Sequence, residues 1–146
     1  MTDVLILNGP NLNLLGTREP EIYGETTLSD VEKQCSLEGS RLGLNITHKQ
    51  SNHEGELVST LQDAGAAGTW VVFNSGAYTH TSVALHDAIV GSSCKVIEVH
   101  ISNVHARETF RHHSFISPVA QGTIVGLGTY GYILALQAIA EQTKDL

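Results

Sequence analysis

Val4-Leu5-Ile6-Leu7-Asn8-Gly9-Pro10-Asn11 is the stretch on which the fold turns. Its four apolar residues run without a polar break, the pattern of a strand buried on both faces. The run stops in Asn8-Gly9-Pro10-Asn11, a dense loop signal. The same grammar recurs at Asn45 to Gln50, at Thr69-Trp70-Val71-Val72-Phe73 before Asn74-Ser75-Gly76-Ala77, at Lys95 to His100, and at Thr123 to Leu127. Helical stretches separate these runs. One starts at Thr27, carries Leu28, Val31, Cys35 and Leu42 on one stripe, and ends at Gly43. Another follows the Ser51-Asn52-His53 turn through Leu57, Val58 and Leu61 to about Gly65. A third begins near Thr81 and a last one spans about Gly128 to Thr143. Asn13 to Glu25, with Gly16, Pro20 and Gly24 among charged residues, reads as a loop too polar for the core.

Strands alternating with helices at this spacing predict a parallel sheet covered on both faces. Five such units fit a flavodoxin-like, doubly wound α/β domain with strand order 2-1-3-4-5, spanning residues 1–146 as a single domain. Ligands of such sheets bind beyond the carboxyl ends of the strands, where the winding reverses between strands 1 and 3.

Composition narrows the partners. The 146 residues are 41% hydrophobic and 16% charged, so the chain is neither disordered nor collagen-like. A net charge of −7 repels phosphate and argues against nucleic acid and anionic membranes. No apolar run is long enough to cross a bilayer and the N-terminus has no signal-peptide pattern, so a cytoplasmic location is expected. Cys35 and Cys94 are isolated and read as buried free thiols.

The loops after strands 1, 3 and 4 collect the chemistry. They hold Asn8, Asn11, Asn13, Arg18 and Tyr23, then Asn74, Tyr78, Thr79 and His80, then Glu98, His100, Ser102, Asn103, His105, Arg107 and Arg111. Glu98 and His100 stand two apart on a strand and so share a face. A carboxylate beside an imidazole selects its tautomer and makes it a proton donor near neutral pH; a structural Glu–His pair is the competing reading. Arg18 beside Tyr23 would stabilise a tyrosinate and make it a general base once a closing loop excludes water; a merely anchoring tyrosine competes with this. Three of the four arginines lie in these loops, which implies an anionic ligand. Gly126-Leu127-Gly128-Thr129-Tyr130-Gly131 is a literal GxGxxG, but it follows the last strand and not the first, so it reads as tight helix packing. The eight histidines match no metal-ligand spacing, so no metal is expected.

Asn8-Gly9-Pro10-Asn11-Leu12-Asn13-Leu14-Leu15-Gly16, Arg18-Glu19-Pro20 and Ile22-Tyr23-Gly24 closely resemble the opening of type II 3-dehydroquinate dehydratases. So do Gln50 to Glu56, Gly76 to Ser82, Glu98 to Asn103, His105 to Glu108 and Phe110 to Ser114, in order along nearly the whole chain. The resemblance implies a hydro-lyase of the shikimate pathway and aromatic amino acid biosynthesis. It would convert 3-dehydroquinate to 3-dehydroshikimate by anti elimination of water through an enolate, without metal or organic cofactor. By the same resemblance Tyr23 is the base at C2 and Arg18 lowers its pKa. Asn11 holds a water on the enolate oxygen. His100, oriented by Glu98, protonates the departing C1 hydroxyl. The backbone of Ile101 and Ser102, with the Ser102 hydroxyl, takes the substrate carboxylate. Asn74, His80 and Arg111 hold the substrate hydroxyls, and Arg107 orders the closed lid. The family assembles as trimers grouped into dodecamers, and Asp87 resembles an acid that reaches a neighbouring subunit's site.

One departure stands out. The family usually has proline where this chain has Ser75. Serine is expected to leave the loop looser, Asn74 less firmly placed and substrate binding weaker than in a Ser75→Pro variant. The rival function is a non-catalytic flavodoxin-like module binding a nucleotide or flavin phosphate. It needs a phosphate cradle after strand 1, and Pro10 has no N–H to offer there.

Overall fold

The computed structural model describes residues 1–17 and 19–145, and of Pro20 and Tyr23 the backbone alone. Five strands form one parallel sheet in the order 2-1-3-4-5: β1 Thr2–Asn8, β2 Leu44–Gln50, β3 Trp70–Asn74, β4 Val96–His100 and β5 Gly122–Val125. Five helices accompany them: α1 Pro20–Tyr23, α2 Leu28–Leu42, α3 Glu54–Ala67, α4 Val83–Ser92 and α5 Tyr130–Thr143. None of the described helices is long and apolar enough to cross a membrane.

Alternation along the strands sorts the core into two layers. Val4, Ile6, Val72, Ile97 and Val99 pack under α2 and α5, against Val31, Cys35, Leu136 and Ile139. Leu7, Val71, Phe73 and Val96 face the other way, against Leu57 and Leu61 of α3 and Leu85 and Ile89 of α4. Burying both faces is what the unbroken apolar runs require. The caps explain the helix ends. Thr27 Oγ1 accepts from Asp30 N and Asp30 Oδ2 from Thr27 N, a closed capping box, while Gly43 ends α2 at φ 74°. Cys35 and Cys94 are buried free thiols, pushed up to about 12 and about 11 by loss of solvent, which makes them poor nucleophiles.

Two expectations change. The segment read as a plain loop contains a 3-10 turn at Leu12–Leu14 and the single helical turn α1. Short turns of this kind bury too little to leave an apolar period. The last strand ends at Val125, and the glycine run forms the turn into α5. There Gly126 sits at φ 86° with its missing Cβ 2.9 Å from the Asn103 Cβ, and Gly131 lies against Val99 and Ile124. The run is a packing device, as its position suggested.

The tightest junction is between the ends of β1 and β3. The Gly9 N–H donates to the Asn74 carbonyl at 2.8 Å, and a Cβ on Gly9 would stand 2.6 Å from the Ser75 oxygen. Only glycine permits that approach. Ser75 itself is 0% exposed at φ −78°, and its Oγ has no hydrogen-bond partner among the described residues. Against the expectation of a looser loop stands a buried residue, packed closely on Gly9 without help from a proline ring. Its φ already suits proline. Ser75→Pro should act through the unfolded chain, raising the midpoint of thermal unfolding by about 1–4 °C and leaving substrate affinity unchanged. Thermal denaturation of the two proteins, with KM measured alongside, checks both halves.

Candidate active site

A cleft open to solvent lies beyond the carboxyl ends of β1, β3 and β4. Asn11, Asn74, His80, His100, Ile101, Ser102, Arg107 and Arg111 line it, together with Pro10, Leu12 and Leu15. Eight of the residues singled out from sequence thus meet in one place. Glu98 lies behind His100. Asp87 does not join them; it stands on α4, its side chain 72% exposed, beside Gln62 and Gly91. Arg18 and the side chain of Tyr23 lie outside the described residues.

The parity of β3 and β1 places Asn74 and Asn8 on the α5 side of the sheet. There the Tyr132 phenol, 0% exposed, donates to Asn8 Oδ1 at 2.6 Å and accepts from Asn74 Nδ2 at 2.9 Å. The Gly76 N–H donates to Asn74 Oδ1 at 3.1 Å. Two independent contacts thereby set the amide's orientation, which leaves one Nδ2 proton free for the cleft. Asn11 adopts a left-handed turn at φ 70°, its N–H donating to Asn52 Oδ1, which also accepts from Gln50.

Glu98 and His100 share a face, as their spacing predicted, and it is the one opposite to that of Asn74 and Asn8. Glu98 is 0% exposed and His100 Nε2 stands 2.7 Å from its Oε2. A buried carboxylate needs donors on every side. Thr79 and Ser114 donate to Oε2 at 2.6 and 2.8 Å, Thr123 to Oε1 at 3.4 Å, and Ser117 to Oε1 in a short hydrogen bond. Burial alone would raise the Glu98 pKa. The His100 contact and the Ser117 and Thr79 hydroxyls outweigh it and hold the acid well below the usual carboxylate range. Glu98 is therefore an acceptor only, which puts the proton of the shared bond on His100 Nε2 and leaves Nδ1 for the cleft.

His80 stacks on His100 with ring centroids 6.5 Å apart. Its Nδ1 donates to the His113 carbonyl at 2.8 Å, so Nε2 is the free acceptor. Burial pushes the His80 pKa down, with His100 and Arg111 nearby acting in the same direction, which keeps the ring neutral. Arg111 Nε donates to Glu108 at 2.7 Å, and Arg107 reaches both Glu108, at 3.9 Å, and the Ser102 hydroxyl, at 3.3 Å. Each arginine is thus braced by an acid while lining the cleft.

Sequence reasoning assigned no role to Tyr132, Ser114, Ser117 or Thr123. Tyr132 carried one usable signal, a phenol on the buried stripe of an apolar helix, which demands a partner. The hydroxyls carried none, since loop serines and threonines are common.

Comparison with known proteins matches this arrangement. The family model described as Dehydroquinase class II covers residues 2–140. A protein named 3-dehydroquinate dehydratase from Variovorax paradoxus is 62% identical over 144 residues, covering 95% of this chain and 99% of its own. A second, 3-dehydroquinate dehydratase 2 from Ralstonia nicotianae, is 59% identical and covers 95% and 94%. Among solved structures, type II dehydroquinase from Propionibacterium acnes superposes with a TM-score of 0.94 at 45% identity, covering 97% of each chain. With the cleft, its residues and this sheet order, the chain belongs to the class II dehydroquinase family.

Proposed function

We propose that the protein, acting as a single catalytic domain over 1–146, is a type II 3-dehydroquinate dehydratase of aromatic biosynthesis, and that its cleft carries out an anti elimination of water from 3-dehydroquinate. The observation that carries the chemistry is the buried Glu98 held to His100 Nε2, with Nδ1 left for the cleft. In the protonated ring Nδ1–H donates to the C1 hydroxyl as it leaves, and Glu98 stabilises the imidazolium without taking its proton. Tyr23, its pKa lowered by Arg18, removes the C2 proton α to the ketone, and Asn11 holds a water against the enolate oxygen. The substrate carboxylate meets the backbone of Ile101 and Ser102 and the Ser102 hydroxyl. Its hydroxyls meet the Asn74 amide proton, the free Nε2 of His80 and Arg111. Arg107, near Ser102, orders the lid. None of these steps calls on a cofactor.

Asp87 supports an oligomeric reading. It lies away from the cleft of its own chain and is exposed, so it reaches substrate only in a neighbouring copy's site. A dodecamer of four trimers, in the cytoplasm, fits that role.

Three outcomes are expected. Incubation with 3-dehydroquinate produces the ultraviolet absorbance of the conjugated enone, and Tyr23→Phe abolishes turnover by about 100-fold or more while the circular dichroism of the fold is kept. Borohydride added with substrate leaves activity intact and no adduct in the mass spectrum, because the mechanism forms no Schiff base. The third outcome concerns acid. Glu98 has a lowered folded pKa, so its contribution to stability is full above its ordinary 4.5 and is lost as pH falls toward about 2. Thermal midpoints across that window should fall more steeply for the wild type than for Glu98→Gln.

A further inference from the structure

Glu98 has more hydrogen-bonding capacity than His100 can fill. A carboxylate offers about four lone-pair positions, and the imidazole supplies one N–H. The other donors come from three separate pieces of chain: Thr79 in the 3-10 turn Gly76–His80 after β3, Ser114 and Ser117 in the segment returning from the cleft, and Thr123 on β5. Proton counting fixes the direction of the Thr79 bond. Ser114 Oγ accepts from the N–H groups of Ile116 and Ser117, each at 3.0 Å, which fills its lone pairs, so its own proton goes to Glu98 or to Thr79 Oγ1. Thr79 Oγ1 is 2.9 Å from that saturated oxygen and 2.6 Å from Glu98 Oε2. Its proton has one acceptor left, the carboxylate. Thr79 is 1% exposed, so no solvent competes for it.

We propose that Thr79, with Ser114 and Ser117, is a positioning residue of the reaction: these hydroxyls hold Glu98 in the place and orientation that keep the His100 proton on Nε2 and turn Nδ1 to the substrate. The inference rests on the dehydratase reading above. Without the hydroxyls the carboxylate has unfilled lone pairs in a buried site. It then satisfies them by rotating away from His100 or by taking a proton, and either event releases the ring. Among the described residues, the groups that titrate or carry charge around Glu98 are His100 on β4, His80 stacked on it from the turn after β3, and Arg107 and Arg111, which line the cleft with them. Substituting Thr79 leaves all of them in place.

Thr79 permits a test in which packing and hydrogen bonding predict opposite orders. Thr79→Val keeps the shape and removes the hydroxyl, while Thr79→Ser keeps the hydroxyl and removes a methyl. With 3-dehydroquinate as substrate, Thr79→Val should lower kcat about tenfold with KM within about twofold, as expected for a lost hydrogen bond to a charged group. The acid limb of its kcat–pH profile should move to higher pH, since a carboxylate with fewer donors protonates sooner. Thr79→Ser should regain most of kcat and return the limb. Ser117→Ala, at an exposed residue that opens the 3-10 turn Ser117–Val119, should move the limb in the same direction, and it decides the matter if Thr79→Val fails to fold. Ring ¹⁵N shifts of His100 should show, wherever the ring is neutral, the proton on Nε2 in the wild type and a mixture of Nε2–H and Nδ1–H in Thr79→Val. Wild-type kcat in Thr79→Val, or a Thr79→Ser variant as impaired as Thr79→Val with an unmoved acid limb, would overturn the proposal. A wild-type protein inert toward 3-dehydroquinate would instead overturn the dehydratase reading, and the ring shifts would still decide the positioning role.

Discussion

A carboxylate with no exposed surface is the constraint around which this site is built. Glu98 sits inside the sheet layer facing α3 and α4, where an unpaired charge would not survive. Its five donors come from β4 itself, the turn after β3, the returning segment and β5. Meeting one electrostatic demand therefore ties together four stretches that are far apart in sequence. The Phe115 N–H on the Thr79 carbonyl and the His113 carbonyl on His80 stitch the same junction with backbone groups. The loops that frame the cleft are placed by what the charge beneath them requires.

A second network holds the opposite face. Asn8, Tyr132 and Asn74 form a buried chain across the ends of β1 and β3, at the point where the winding of the sheet reverses. Burial drives the Tyr132 pKa upward, so the phenol stays neutral and both donates and accepts. One network fixes an imidazole and the other fixes an amide. They lie on opposite sides of the sheet because residues 74 and 98 have opposite parity in their strands, and both reach the cleft because they stand near strand ends.

The sequence made the sheet legible because strands buried on both faces leave unbroken apolar runs, and Thr27 and Gly43 marked their helix ends through ordinary cap chemistry. Glu98 and His100 were legible as a pair because strand geometry alone puts residues two apart on one face. What escaped reading shares a cause. Thr79, Ser114, Ser117 and Thr123 matter through partners distant in sequence, and nothing local separates them from other loop hydroxyls. Ser75 belongs here for a related reason. The expected looseness followed from its backbone freedom, whereas the packing of Gly9 against it is a tertiary fact. Asp87 stands exposed and outside the cleft of its own chain, a position compatible with the resemblance, which gave it to a neighbouring subunit's site.

The acidic composition also takes on a different meaning. A chain of net charge −7 repels polyanions at a distance, yet Arg107 and Arg111 line the cleft with Glu108 as their shared brace. Glu108 is itself 55% exposed, so water screens its charge more than it screens arginines whose side chains are 15% and 19% exposed. The brace therefore orients the guanidinium groups without cancelling their field inside the cleft. Glu98 adds little negative potential there, because its charge is turned inward and spent on His100 and four hydroxyls. The local balance favours one small carboxylate, and the net charge that excludes larger anions leaves it undisturbed.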